Sequence, residues 1–96
     1  MAIVQYQLDF SSCRTWEDIH GQIRRELQLP EWYGENVDAL WDALTGIIKT
    51  PAEIRILFSP KSTMPDVVRE QVELVLKTFE EAATLSWTGL SVNIVR

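Results

Sequence analysis

A two-layer α/β domain, with a three-stranded parallel sheet and helices packed mainly on one face, is the fold this sequence predicts. Three observations predict it. Segments near both chain ends alternate apolar and polar residues, an apolar run of strand length lies mid-chain, and stretches with helical spacing separate all three. Strands joined through helical crossovers form a parallel sheet, because a tight hairpin cannot connect parallel neighbours. Ninety-six residues with 46% hydrophobic content suffice for one core and are too few for two. A single domain over residues 1–96 is therefore expected.

From the N-terminus, Ala2 to Phe10 alternates, with Val4, Tyr6, Leu8 and Phe10 on one side and Gln5, Gln7 and Asp9 on the other. Thr15 followed three residues later by Asp18 has the form of a capping box, and Trp16, Ile19, Ile23 and Leu27 continue at helical spacing until Pro30. Glu31 to Glu35, EWYGE, reads as a loop. A second helix begins after Asn36, a good N-cap, because Val37, Leu40, Trp41 and Leu44 fall at i, i+3, i+4 and i+7; Gly46 supplies a stop. Glu53 to Phe58 reads as a well-buried strand, and Pro60 to Thr63 as a turn. Thr63 with Asp66 offers another cap, and Pro65 suits a first helical turn. Val68, Val72, Val75, Leu76 and Phe79 mark the buried side of a third helix reaching about Ala83; TLSWTG is a loop, and Leu90 to Val95 a last strand.

Charge is distributed unevenly along this framework. Fourteen acids against nine bases give −5, which disfavours direct nucleic-acid binding and favours a basic partner. Between Arg25 and Lys49 no base occurs, while Glu26, Glu31, Glu35, Asp38 and Asp42 all lie there. These five equal the net charge. Asp38 and Asp42, four apart, share one side of the second helix, where like charges cost a few tenths of a kcal/mol. Asp38 is favoured by the positive end of the helix dipole; Asp42 is not. Ala39 and Ala43 lie away from the acids, so the helix has apolar, acidic and small sides. In the preceding loop, Trp32 and Tyr33 are adjacent, and a core accommodates one ring there more easily than two. Gly34 beside them is either a positive-φ turn residue or a place where another backbone comes close.

The segment LPEWYGENVDALWDALTG, Leu29 to Gly46, resembles the signature of the barstar family, intracellular inhibitors of barnase-type ribonucleases. The likeness extends more loosely over nearly the whole chain, including VLKTFEEA from Val75 to Ala82. It implies a barstar-like three-stranded sheet and an inhibitory surface made from the second helix and the loop before it. On that basis Asp42 matches the principal contact, a carboxylate set where the nuclease would bind a substrate phosphate, and Asp38 a second acidic contact. Trp32 and Tyr33 take the aromatic-pair positions, with Trp32 replacing the usual tyrosine. Asn36 and Gly46 match the two ends of the contact helix, and Glu81 an acid of the last helix. Ile47 stands where the family has tryptophan, Ala43 replaces a cysteine, and the loop holding Trp87 is longer, so the nuclease can differ from barnase.

An inhibitor rather than an enzyme is therefore expected, with no catalytic residues, no cofactor and no metal. Asp38 and Asp42 have no histidine nearby in sequence, and the only one, His20, reads as a structural residue of the first helix. The acids lack the glycine-centred alternation of an EF-hand. The alternative is a barstar-like immunity or interaction module for a different basic toxin or a non-nuclease. The single cysteine, Cys13, suits a reducing compartment, and MAIVQYQLDF lacks the layout of a signal peptide. No run approaches the length of a membrane span. A cytoplasmic protein, monomeric when free and without membrane contact, is the expectation.

Because it removes an i,i+4 repulsion, Asp42→Ala is expected to unfold at the same temperature as wild type or higher, while partner binding weakens sharply. Thermal unfolding followed by circular dichroism reads the first part. A marked fall in the midpoint would show that Asp42 supports the fold.

Overall fold

The computed structural model describes residues 3–59 and 64–96. The element order is β1 (Val4–Asp9), α1 (Trp16–Glu26), α2 (Val37–Gly46), β2 (Ala52–Leu57), α3 (Asp66–Thr84) and β3 (Leu90–Val95). Ala2 and the turn expected over 60–63, with its Thr63 cap, lie outside the described residues. α3 begins with Pro65 at the cap position.

All three strands run parallel in the order β1-β2-β3. Register places the apolar positions in rows across the sheet: Val4, Ala52 and Leu90; Tyr6, Ile54 and Val92; Leu8, Ile56 and Ile94. These rows face the helices. Gln5, Gln7, Glu53, Arg55, Ser91 and Asn93 line the other face, an open trough of about 490 Å³. The layers are therefore two, as the sequence predicts, but β2 is not buried on both sides. Its Glu53 and Arg55 are exposed between buried Ala52, Ile54 and Ile56, because no helix of the described residues covers that face.

α3 organises the buried side, packing against α1, α2 and β3. Val68, Val72, Val75, Leu76, Phe79 and Ala82 recur at helical spacing and are all buried, joined by Leu8, Phe10, Ile19, Ile23, Leu40, Leu44, Ile56 and Phe58. α2 rests on α3 through Leu40, Ala43 and Leu44, with Trp41 half-buried at the margin. Ala43, a small residue, is fully buried on this side of α2. The small side of α2 is thus mostly a packing surface.

Local chemistry fixes the ends of these elements. Thr15 Oγ1 accepts from Asp18 N at 3.1 Å, and Asp18 Oδ2 accepts from the backbone of Thr15 and Arg14, so the capping box forms as the sequence predicts. These donors, the Arg14 N–H foremost, hold the Asp18 carboxyl below its ordinary value. Cys13 is buried under the start of α1; desolvation, aided by the charges of Asp18 and Asp9, pushes its thiol up to about 11 and leaves it unreactive at neutral pH.

Phe79 is fully buried where α3 meets the rest of the core, so Phe79→Ala is expected to cost about 3–5 kcal/mol. Leu74→Ala, on the exposed side of the same helix, should change stability by less than about 0.5 kcal/mol. Urea denaturation of both variants measures the contrast.

Candidate functional site

The loop between α1 and α2 is pinned to α1 at two points. Tyr33, only 7% exposed, turns inward, and its hydroxyl is hydrogen-bonded to His20 Nδ1 at 2.8 Å. Trp16 Nε1 donates to the carbonyl of Glu35 at 2.8 Å, and the Trp16 ring lies against the His20 ring with centroids 4.0 Å apart. His20 is thus the structural residue the sequence suggests. The turn it imposes sends neighbouring Trp32 the other way, and Trp32 is 74% exposed.

The same loop sets the start of α2. Asn36 accepts from Ala39 N at 2.7 Å as N-cap and donates from Nδ2 to Gly34 O at 3.1 Å, locking the last loop residues onto the helix. A Cβ on Gly34 would stand 3.2 Å from the Ala39 side chain, so Gly34 serves close approach. The positive φ falls instead on Glu35, at 51°, a conformation costing a side-chain-bearing residue about 1–2 kcal/mol.

Trp32, Tyr33, Asp42 and Ile47 converge on one hollow of about 220 Å³, with Pro30, Gly34 and Ala39 completing its lining. Asp38 is exposed one turn before Asp42 on the same side of α2. Among the described residues no ion pair reaches Glu31, Glu35, Asp38 or Asp42. Glu26, by contrast, pairs with Arg25 at 3.3 Å, so the unneutralised stretch begins at Glu31. Gly46 is the last residue of α2 and keeps a negative φ; it ends the helix without a left-handed turn and borders a second hollow containing Thr45 and Trp87. Glu81 is exposed on α3 and lines neither hollow. Pro30, Ala39 and Trp87 were not singled out by sequence as site residues. An unplaced tryptophan in a polar loop was the available signal for the last.

The arrangement is an acidic ridge beside an exposed indole and a small, largely apolar hollow, suited to receiving cationic side chains of another protein. A family model described as Barstar (barnase inhibitor) matches residues 3–94. The chain belongs to the barstar family. Among curated proteins, the "Putative ribonuclease inhibitor YrdF" of Bacillus subtilis (strain 168) is 46% identical over 35 residues, which span 36% of this chain and 38% of that relative. The barstar fold here contains no helix long and apolar enough to cross a membrane among the described residues, and no cluster of three or more metal-ligating side chains among them.

Burial of His20 has a pH consequence within this barstar-family framework. Desolvation lowers its imidazole from the ordinary 6.5 to about 4, while burial raises the Tyr33 hydroxyl. Below pH 6.5 the unfolded chain binds a proton that the folded chain refuses. Stability is therefore level above about pH 6.5, falls between 6.5 and about 4, and levels again below. Asp18 and Glu73, held low by hydrogen bonds from Arg14 and Arg96 respectively, add acid lability that begins as pH falls through the ordinary carboxylate range and continues below it. His20→Asn should shrink the difference between urea midpoints at pH 7 and pH 4.5; an unchanged difference would rule out His20 as its source.

Proposed function

We propose that this chain inhibits a barnase-type ribonuclease by laying the acidic face of α2 and the loop before it into the enzyme's basic active site. The observation that carries this reading is the set of four carboxylates, Glu31, Glu35, Asp38 and Asp42, concentrated beside an exposed Trp32 with no cation of the described chain to neutralise them. A ribonuclease must present cationic groups to bind RNA phosphates, and an unneutralised acidic face is its electrostatic complement. Long-range attraction raises the association rate, and close contacts then fix specificity.

In this reading Asp42 is the central contact, since it borders the hollow and loses most water when a cationic group fills it. Asp38 meets neighbouring bases. Trp32 covers a ring or a guanidinium of the enzyme, Tyr33 and Ile47 form hollow wall, and Asn36 and Gly46 hold the two ends of the contact helix. Glu81, exposed on α3 and lining neither hollow, supplies a further acidic contact from the last helix. The chain acts by binding rather than by catalysis, as one domain over 1–96, monomeric until it meets the enzyme, in the cytoplasm and without a cofactor. The YrdF relative, by its name, points toward the same class of target.

Titration of the purified chain into barnase-type ribonucleases, with RNA cleavage as readout at low and moderate salt, tests the proposal. Stoichiometric inhibition that weakens with salt is expected. Asp42→Ala should lose at least about thirtyfold, the equivalent of about 2 kcal/mol, at the lower end of the range for breaking a buried charge contact; barnase with barstar is itself one of the reference cases for that range. Failure of the folded protein to inhibit any such enzyme would reassign the acidic face to a different basic toxin or a non-nuclease partner.

A further inference from the structure

Trp87 stands outside the surface just described, in the loop between α3 and β3, yet the fold brings it to the end of that surface. It is 66% exposed and shares a hollow of about 180 Å³ with Thr45, Gly46 and Ile48 at the C-terminal turn of α2. Asp38, Asp42 and Thr45 are spaced i, i+4 and i+7, so one stripe of α2 runs through the acids to the hollow that Trp87 borders. The stripe continues from α2 onto the loop.

The turn holding Trp87 is not loose. Thr88, next to it, is buried, and its Oγ1 donates to the carbonyls of Ala82 at 2.9 Å and Leu85 at 2.8 Å. Its backbone N–H also donates to Leu85 O. Gly89 then takes φ of 68°, accepts from Ala52 N at 3.0 Å, and packs so closely that an added Cβ would be 3.3 Å from Thr50. With residues on its C-terminal side fixed in the core and the sheet, the indole is presented from an ordered turn, and little backbone freedom remains to be lost on binding.

The electrostatics of the hollow select its occupant. A helix C-terminus carries partial negative charge, the last turn of α2 contains no base, and Asp42 lies one turn back. A cation is favoured there, and a planar guanidinium also stacks on an indole face. We propose that the hollow between Trp87 and the C-terminal turn of α2 is a second partner contact, which seats an arginine side chain of the basic ribonuclease. This rests on the inhibitor reading for the identity of the partner, but the preference for a guanidinium follows from the hollow alone.

Two measurements test it, with barnase as the probe enzyme and N-acetylarginine amide as the probe ligand. Trp87→Ala should unfold at the wild-type temperature and inhibit barnase about tenfold less tightly, with Trp87→Phe retaining most of the affinity. Wild-type inhibition by Trp87→Ala, while Asp42→Ala is impaired, would overturn the Trp87 contact and leave the inhibitor reading standing. If the wild-type chain does not inhibit barnase, the amide decides. The indole N–H resonance of Trp87, assigned by its disappearance in Trp87→Phe, should then shift saturably with N-acetylarginine amide and not with N-acetylnorleucine amide. No shift, or equal shifts with both, would overturn the arginine seat.

Discussion

The hydrogen bond between Tyr33 and His20 is the constraint on which the presentation of the acidic face depends. It draws one of two adjacent rings into the core and thereby turns the other outward. With the Trp16 indole bound to the Glu35 carbonyl, it pins the α2 end of the loop to α1 at two points. Asn36 can then cap α2 at one defined place, and the direction of α2 follows. The arrangement has local costs: His20 is kept neutral with Nε2 lacking a hydrogen-bond partner among the described residues, and Glu35 adopts a left-handed backbone. Such costs are tolerated where a rigid loop is worth more than the stability it sacrifices.

A second compromise concerns charge. Bases at i,i+4 from the acids of α2 would neutralise them, as Arg25 neutralises Glu26 and Arg96 neutralises Glu73 through pairs of other spacing, but no base lies between Arg25 and Lys49. The helix accepts mutual repulsion of Asp38 and Asp42, small in water, and keeps both carboxylates available to an external cation. Stability comes from elsewhere. Leu40, Ala43 and Leu44 bury the opposite side of α2 against α3, which itself joins the core beneath the sheet, so the ridge has a firm base without any contribution from its own charges.

Much of this was legible in the sequence because it is local. Alternation in β1 and β3, the Thr15–Asp18 box, the Asn36 cap and the apolar stripe of α2 each depend on residues within a few positions of one another, and the family segment from Leu29 to Gly46 is continuous. What sequence left open depended on distant partners. Trp32 and Tyr33 are equivalent as neighbours; only His20, reached through the fold, distinguishes them. The apolar run in β2 marked a well-buried strand, and the side its Glu53 and Arg55 present is an open trough. Gly34 was open to either positive φ or close approach; contact with the Ala39 side chain determines its smallness, and Glu35 takes the left-handed backbone. Trp87 meets the end of α2 through the packing of α3 on α2 and the pairing of β3 with β2, relations no local pattern encodes.

The central claim is that the pinned loop and the acidic stripe of α2 form the surface buried against a basic ribonuclease. Hydrogen–deuterium exchange of the chain, free and saturated with a ribonuclease it inhibits, locates that surface directly. The account predicts added protection of backbone amides in the segment 31–47, with the open trough of the sheet unchanged. Protection confined to β1 and β3 around Gln5, Gln7 and Asn93, with 31–47 unaltered, would contradict it.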